Sequence, residues 1–170
     1  MIALAATLAL AAVVGAALSP NTKAPNFTLP TLDGGTFTLF DCFNTPPKVV
    51  ILDIWATTCP PCKAEIPYLQ DMHKRYNGKG LMVVGVALDG RKDRVKSFVS
   101  DAGVTYTIPL DPGGDKIGRS YKVTTIPATY IIDKKGMIRN VHSGFPLRDK
   151  DAQKAAALEI EKDVKALLAE

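Results

Sequence analysis

Four consecutive residues, Cys59, Pro60, Pro61 and Cys62, carry the most distinctive chemistry in this chain. Two cysteines separated by two residues can form and break a disulfide within one short loop. Such a disulfide would restrain the unfolded chain only weakly, and a zinc site needs four ligands, usually in two clusters. Here there is one cluster, and the other candidate ligands are scattered at Cys42, His73 and His142. Thiol–disulfide exchange is therefore the predicted chemistry.

This cysteine pair lies between a predicted strand and a predicted helix. Residues 49–55 are apolar except for one aspartate, as expected of a strand that is buried on both faces. Apolar residues then recur at helical spacing, at Ile66, Leu69, Met72 and Tyr76. A helix N-terminus favours a thiolate, because it carries partial positive charge and free N–H groups. We therefore predict that Cys59, before the helix, is the exposed nucleophile and that Cys62 is the resolving thiol.

The two prolines between the cysteines indicate the direction of the redox reaction. Pro60 and Pro61 lack backbone N–H groups, so the first local donor to a Cys59 thiolate is the N–H of Cys62. A weakly stabilised thiolate makes the disulfide harder to reduce. We therefore expect the pair to reduce other disulfides, and we assign both prolines to the client-binding surface.

Two acidic residues accompany the cysteines. Asp53 lies inside the apolar strand, where burial should raise its pKa and let it accept the proton of Cys62. The alternative is a structural aspartate that is satisfied by backbone or water. Glu65, three residues after Cys62, is expected to support the first turn of the helix.

The string from Trp55 to Pro67 resembles the thioredoxin superfamily, and within it the TlpA/ResA-like branch of exported bacterial thiol–disulfide oxidoreductases. Asp53 falls where thioredoxins keep a buried acid, and Pro67 falls where their active-site helix is kinked. The segment 125–129 resembles the one that carries the family's cis-proline. The opening segments 24–29 and 33–35 resemble the TlpA-like and peroxiredoxin-like branches. The resemblance covers about residues 24–168.

The resemblance implies an α/β fold of the thioredoxin type, with a central mixed sheet, helices on both faces and an N-terminal β extension. It implies that Pro127 is cis and that the Ile126 backbone lies beside Cys59, where a client strand could pair with it. Trp55 is expected to be part core and part client-contact platform. No cofactor and no metal are implied. Thr58, where many members have an aromatic residue, is expected to alter client docking.

The rest of the chain alternates predicted strands and helices. Strands are expected at 36–39, 48–55, 81–88, 106–110, 128–133 and 137–141, and helices at about 60–77, 91–102, 115–121 and 149–168. Alternation that ends in a hairpin is typical of an α/β sheet with helices on both faces.

Composition and charge describe one globular domain, which we place at residues 21–170. The chain has 170 residues, 46% of them hydrophobic and 22% charged, with a net charge of +4. This charge forms no basic stripe, which argues against nucleic-acid binding. Residues 1–18 are uncharged and alanine-rich, so residues 1–20 are predicted to be an export signal or a membrane anchor. A buried N-terminal helix is the alternative.

The predicted function is reduction of disulfides in exported client proteins, in a bacterial periplasm or cell envelope. The resemblance implies clients such as apocytochromes c or copper-site proteins, and a membrane thiol-reductant donor. One alternative is a metal-binding thiol carrier that uses Cys59 and Cys62, with Cys42 as an optional further ligand. The other is a peroxiredoxin-like peroxidase, which is disfavoured because Ala56 stands where such a peroxidase needs threonine.

Overall fold

A four-stranded mixed sheet lies at the centre of the computed structural model, which describes residues 18–170. An N-terminal hairpin of β1 (Thr28–Pro30) and β2 (Thr36–Thr38) precedes it. The strands of the central sheet are β3 (Val49–Trp55), β4 (Leu81–Ala87), β5 (Ala128–Ile132) and β6 (Ile138–Ser143). Their order is β4–β3–β5–β6, with β4 parallel to β3 and β5 antiparallel to both β3 and β6.

Helices cover both faces of this sheet, as predicted. They are α1 (Pro60–Tyr76), α2 (Lys92–Asp101), α3 (Ile117–Ser120) and α4 (Lys150–Leu168). One core joins β3 to apolar side chains of α1, α2 and α4, and the other joins it to α3 and the N-terminal hairpin. The predicted N-terminal β extension is confirmed. Of the segment predicted as an export signal or anchor, residues 1–17 lie outside the described residues, and no helix within residues 18–170 is long and apolar enough to cross a membrane.

Strand β3 separates the two cores, and each of its seven residues is buried. Successive side chains of a strand point to opposite faces. Val49, Ile51 and Trp55 therefore enter the core beneath α1, while Val50, Leu52 and Ile54 enter the other core. This is why the sequence of the strand shows a continuous apolar run and no alternation.

The strand predicted at 106–110 forms only in part. The segment runs beside β4 but pairs with it at isolated bridges, which join Thr107 to Val84 and Leu110 to Ala87. Pro109 has no N–H to donate, so a continuous ladder of hydrogen bonds cannot form. The carbonyl of Pro109 still accepts from the N–H of Ala87 at 2.9 Å. The segment thus extends the edge of the sheet without becoming a regular strand.

Gly85 of β4 lies opposite Asp53 of β3 and makes room for two aromatic side chains. A Cβ atom at this position would lie 2.9 Å from Cε2 of Tyr106 and 3.0 Å from Nε1 of Trp55. Both distances are too short for ordinary contact, and both side chains are buried. The missing side chain is therefore what allows the two rings to close over the centre of the sheet.

Gly85→Ala is expected to lower the free energy of unfolding by about 1–3 kcal/mol, because the added methyl group overpacks the core. Urea denaturation at constant pH measures this loss. Gly118→Ala is the control, since its Cβ would meet nothing within 4 Å. The steric explanation is wrong if both variants lose the same stability.

Candidate active site

The cysteine pair stands where β3 ends and α1 begins. Cys59 is the N-cap residue of α1, and Cys62 lies in its first turn. The two sulfur atoms are joined in a disulfide. Cys59 is 8% exposed, whereas Cys62 is fully buried. An incoming sulfur atom can therefore reach Cys59 before Cys62. The sequence analysis predicted this difference in exposure.

One local N–H group points at the sulfur of Cys59. The backbone N–H of Cys62 donates to it over 3.2 Å. Pro60 and Pro61 occupy the first two helical positions, where a missing N–H leaves no helical hydrogen bond unmade. The two prolines thus start the helix without adding donors, and the side chain of Pro60 lies exposed beside the disulfide.

A loop from the neighbouring strand approaches the disulfide from the other side. The Ile126–Pro127 peptide bond is cis, as the resemblance implied. The carbonyl oxygen of Ile126 lies 3.7 Å from the sulfur of Cys59. The carbonyl of Pro127 accepts from the N–H of Gly144 at 2.8 Å and is therefore occupied within the fold. Ile126 is only half-buried, so it is the part of this loop that an extended client segment could approach.

Two carboxyl groups and one hydroxyl group are buried where β3, β5 and α1 meet. The hydroxyl of Thr129 donates to Oε1 of Glu65 over 2.8 Å and lies 3.4 Å from Oδ1 of Asp53. Asp53 is fully buried and Glu65 is 1% exposed. Glu65 therefore faces the interior, and the prediction that it supports the first helical turn is wrong. Its position three residues after Cys62 placed it on the inner face of α1.

Burial raises the pKa of both carboxyl groups. Desolvation raises the pKa of Asp53 well above its ordinary value, and the charge of Glu65 raises it further. Desolvation also raises the pKa of Glu65 to about 7, against the hydrogen bond from Thr129. A hydroxyl has one proton to donate, so Thr129 suits a pair in which one carboxyl is charged and the other is protonated. Such a pair can exchange a proton near neutral pH.

Trp55 lies wholly inside the protein. Its side chain has no exposed surface, and its ring packs against Phe98 of α2 with 5.3 Å between centroids. The prediction that Trp55 forms part of a client-contact platform is therefore wrong. The last residue of a strand that is buried on both faces stays in the core, and the sequence did not reveal that α2 covers it.

One contact at the site has no counterpart in the sequence analysis. Asp89, just after β4, accepts hydrogen bonds from both the backbone N–H and the hydroxyl of Thr57, the first over 2.9 Å. The parallel strands β3 and β4 end at the same edge of the sheet, which brings these residues together across 32 positions. The carboxylate of Asp89 thus anchors the turn that leads into Cys59. The sequence signal that could have revealed this contact is an acidic residue two positions after the end of a parallel strand.

The remaining candidate ligands lie apart from the disulfide. Cys42 is buried in the core on the opposite face of the sheet, where burial raises the pKa of its thiol to about 11. His142 pairs with Asp163 across 2.8 Å, and His73 packs against the ring of Tyr106. Within residues 18–170, no three His, Cys, Asp or Glu side chains are grouped so as to hold a metal ion.

Comparison with models of known protein families shows the family to which the chain belongs. Residues 20–141 match the model of the AhpC/TSA family. The chain belongs to the AhpC/TSA family. This AhpC/TSA member has a thioredoxin-like fold, with a mixed sheet, a cysteine pair at the start of α1 and a cis-proline loop. Solved structures of similar proteins share this fold.

Individual relatives of this AhpC/TSA protein carry names from disulfide chemistry. The thiol-disulfide oxidoreductase ResA of Oceanobacillus iheyensis is 39% identical over 103 residues, which cover 61% of this chain and 53% of ResA. The match thus spans about half the length of that relative. A Chlorobium tepidum protein assigned as the thiol:disulfide interchange protein DsbE superposes with a TM-score of 0.78 at 30% identity, covering 89% of this chain and 99% of that one.

A third similar protein is described as secreted. A secreted disulfide oxidoreductase of Mycobacterium tuberculosis, homologous to E. coli DsbE, superposes with a TM-score of 0.68 at 26% identity. The superposition covers 83% of this chain and 96% of that one.

The raised pKa of Glu65 makes stability depend on pH. Between about pH 4.5 and about pH 7 the folded protein keeps a proton that the unfolded chain has released, so the free energy of unfolding should fall as pH rises. Glu65 contributes on the order of 3 kcal/mol of this loss, and Glu65→Gln should remove that part, while the raised pKa of Asp53 leaves a further pH dependence in the variant. Urea denaturation of the oxidised protein at several pH values measures both. Glu159→Gln, which changes an exposed glutamate of α4, should keep the pH dependence of the unchanged protein. The assignment fails if the two variants behave alike.

Proposed function

We propose that this protein is a thiol–disulfide oxidoreductase that reduces disulfides in client proteins. One observation carries the proposal: a cysteine at the start of α1 keeps some exposed surface, is paired with a fully buried cysteine, and lies 3.7 Å from the Ile126 carbonyl oxygen of a cis-proline loop. The names of the ResA and DsbE relatives support the same activity. Cys42, the further ligand considered for a metal carrier, lies on the other face of the sheet.

In the proposed reaction, two electrons pass from the reduced pair to the client. The Cys59 thiolate attacks one sulfur of the client disulfide, forms a mixed disulfide and releases the other client sulfur as a thiolate. The Cys62 thiolate then attacks the sulfur of Cys59 and releases the second client thiolate. The products are the Cys59–Cys62 disulfide and a reduced client. The N–H of Cys62, which lies 3.2 Å from the sulfur of Cys59, stabilises the first thiolate.

The buried carboxyl pair is proposed to accept the proton of Cys62. Cys62 is fully buried, so its thiol has no direct access to water. Asp53 and Glu65 share a buried site in which one carboxyl can be charged while the other is protonated, and the pKa of Glu65 is about 7. A base with a pKa near the working pH is well suited to take up a thiol proton and to return it.

We further propose that the protein works outside the cytoplasm. The uncharged residues 1–18 resemble the core of an export signal, and the Mycobacterium tuberculosis relative is a secreted protein. In an oxidising compartment the pair must be reduced again after each turnover, so a membrane thiol donor is the proposed source of electrons. Apocytochromes c and copper-site proteins are the proposed clients, which would place the protein in cytochrome c biogenesis or copper-site assembly.

Single-cysteine variants test the proposed order of attack. Cys59→Ser should abolish reduction of insulin disulfides, because the accessible sulfur is lost. Cys62→Ser should instead accumulate a mixed disulfide with the client, because nothing resolves it. Non-reducing electrophoresis and mass spectrometry of the trapped species measure this. Cys42→Ser is the control and should retain activity. A mixed disulfide trapped on Cys62 of the Cys59→Ser variant would reverse the assignment.

The reduction potential tests the proposed direction. With one local N–H donor to the Cys59 thiolate, we expect a potential of about −220 to −280 mV, in the reducing part of the range for such pairs. Equilibration with glutathione or dithiothreitol buffers, followed by quantification of free thiols, measures it. A value near the roughly −120 mV of strong oxidants would mean that the protein donates disulfides to its clients.

A further inference from the structure

A groove runs from the active-site turn to the outer side of α2. Its volume is about 590 Å³, and residues of both elements line it. Thr57 and Thr58 precede Cys59 and form one wall, and Phe98 lies half-buried in the other. Thr58 is small and exposed, so no bulky side chain separates the groove from the disulfide. A client segment bonded to Cys59 can therefore extend into this groove.

The charges that line this groove favour an anionic occupant. Three basic and two acidic side chains line it, at Lys63, Arg91, Arg94, Asp93 and Asp101. Arg91 and Asp93 pair with each other, which cancels one charge of each sign. Lys63 and Arg94 form no ion pair within the part of the chain that the structure describes. Asp101, the last residue of α2, leaves an excess of one positive charge among the lining side chains, and the Asp89 carboxylate behind them is bound by the N–H and the hydroxyl of Thr57.

Lys63 is held in place on the side of the groove next to the disulfide. Its ammonium group lies 5.5 Å from the centroid of the Phe98 ring, within the range of a cation–π contact. Its backbone N–H donates to the carbonyl of Cys59, so it follows the reactive cysteine by one helical turn. One turn corresponds to about 5.4 Å along the helix axis. Two residues of an extended client segment span a similar distance of about 7 Å.

We propose that the groove beside Cys59, lined by Lys63 and Arg94, selects client segments that carry an Asp or Glu residue two positions from the reactive cysteine. In an extended segment, side chains two positions apart point to the same face, so the acidic group lies on the side that meets the enzyme. The preference rests on the proposed reductase function and names the chemical class of its clients. The Ile126 backbone would hold the opposite side of the same segment.

Three synthetic peptides test this preference. They carry the same disulfide and differ only two residues from one cysteine, where they have Glu, Gln or Lys. The second-order rate constant for their reduction by the intact, fully reduced protein is measured by quenched-flow chromatography. The Glu peptide should react about three- to fivefold faster than the Gln peptide, and the Lys peptide slower than the Gln peptide by a similar factor. High salt should bring the three rates together.

Variants that lack the positive charges test whether Lys63 and Arg94 cause the preference. In the Lys63→Gln/Arg94→Gln double variant, the ratio of Glu-peptide to Gln-peptide rates should fall to nearly one. A ratio cancels any effect of these substitutions on the thiol chemistry itself. Lys135→Gln is the matched control, because this exposed lysine lies in the β5–β6 turn at the opposite end of the sheet, and it should keep the full ratio.

The outcomes separate the two proposals. Equal rates for the three peptides, or a ratio that survives in the double variant, would overturn the proposed preference and leave the reductase function standing. Failure to reduce any of the three peptides would overturn the reductase function and the preference together. Salt dependence in the unchanged protein provides an independent check that needs no variant.

Discussion

The complete burial of strand β3 is the constraint on which the rest of this structure depends. Because both faces of the strand are covered, moving its end would expose apolar side chains to water, so packing sets the place where the following helix begins. The turn before Cys59 is anchored to the neighbouring strand by the Asp89–Thr57 hydrogen bonds. The reactive sulfur is thus held on a rigid frame, and the loop of Ile126 approaches it from β5, the other neighbour of β3.

The same burial gives the site its acid–base chemistry. A carboxyl group in the middle of an apolar strand would be costly if it were charged and unpaired, so its proton is retained to a higher pH. Placing a second carboxyl, Glu65, beside Asp53 makes the cost larger, because two charges would repel each other in a medium of low dielectric constant. The buried carboxyl pair thus weakens the core as the pH rises towards 7, and it is also the proton acceptor that we propose for the buried thiol of Cys62.

The surroundings of the Cys59 sulfur differ from those of the buried carboxyl pair. The environment of the Cys59 sulfur is set by a single nearby N–H, since two prolines remove the donors that other residues would supply. Around it, one side offers backbone from the cis-proline loop, and the other offers a groove with an excess of positive charge. Backbone pairing is indifferent to client sequence, whereas a charged groove distinguishes among clients. In the proposed reaction, the cis-proline loop would serve general client binding and the groove would serve selection among clients.

The order and type of the main elements followed from local sequence. The apolar run of β3, the helical spacing of α1 and the turn residues between β5 and β6 each act within a few positions, so their patterns predicted the strands, helices and hairpin closely. The segment 106–110 was overestimated as a strand, because Pro109 interrupts a pairing that its apolar pattern favours.

By itself, the sequence determined which residues could do the chemistry: the cysteine pair, the prolines that limit its donors, and a carboxyl group in an apolar strand. Only the tertiary structure decided what surrounds them. It turned Glu65 inward against Thr129, buried Trp55 under α2, and brought Asp89 to the turn before Cys59. These outcomes depend on which elements pack together, through contacts between residues 32 to 64 positions apart in the chain. Local spacing reports periodicity and composition, but it carries no information on which face of a neighbouring element closes over a given side chain.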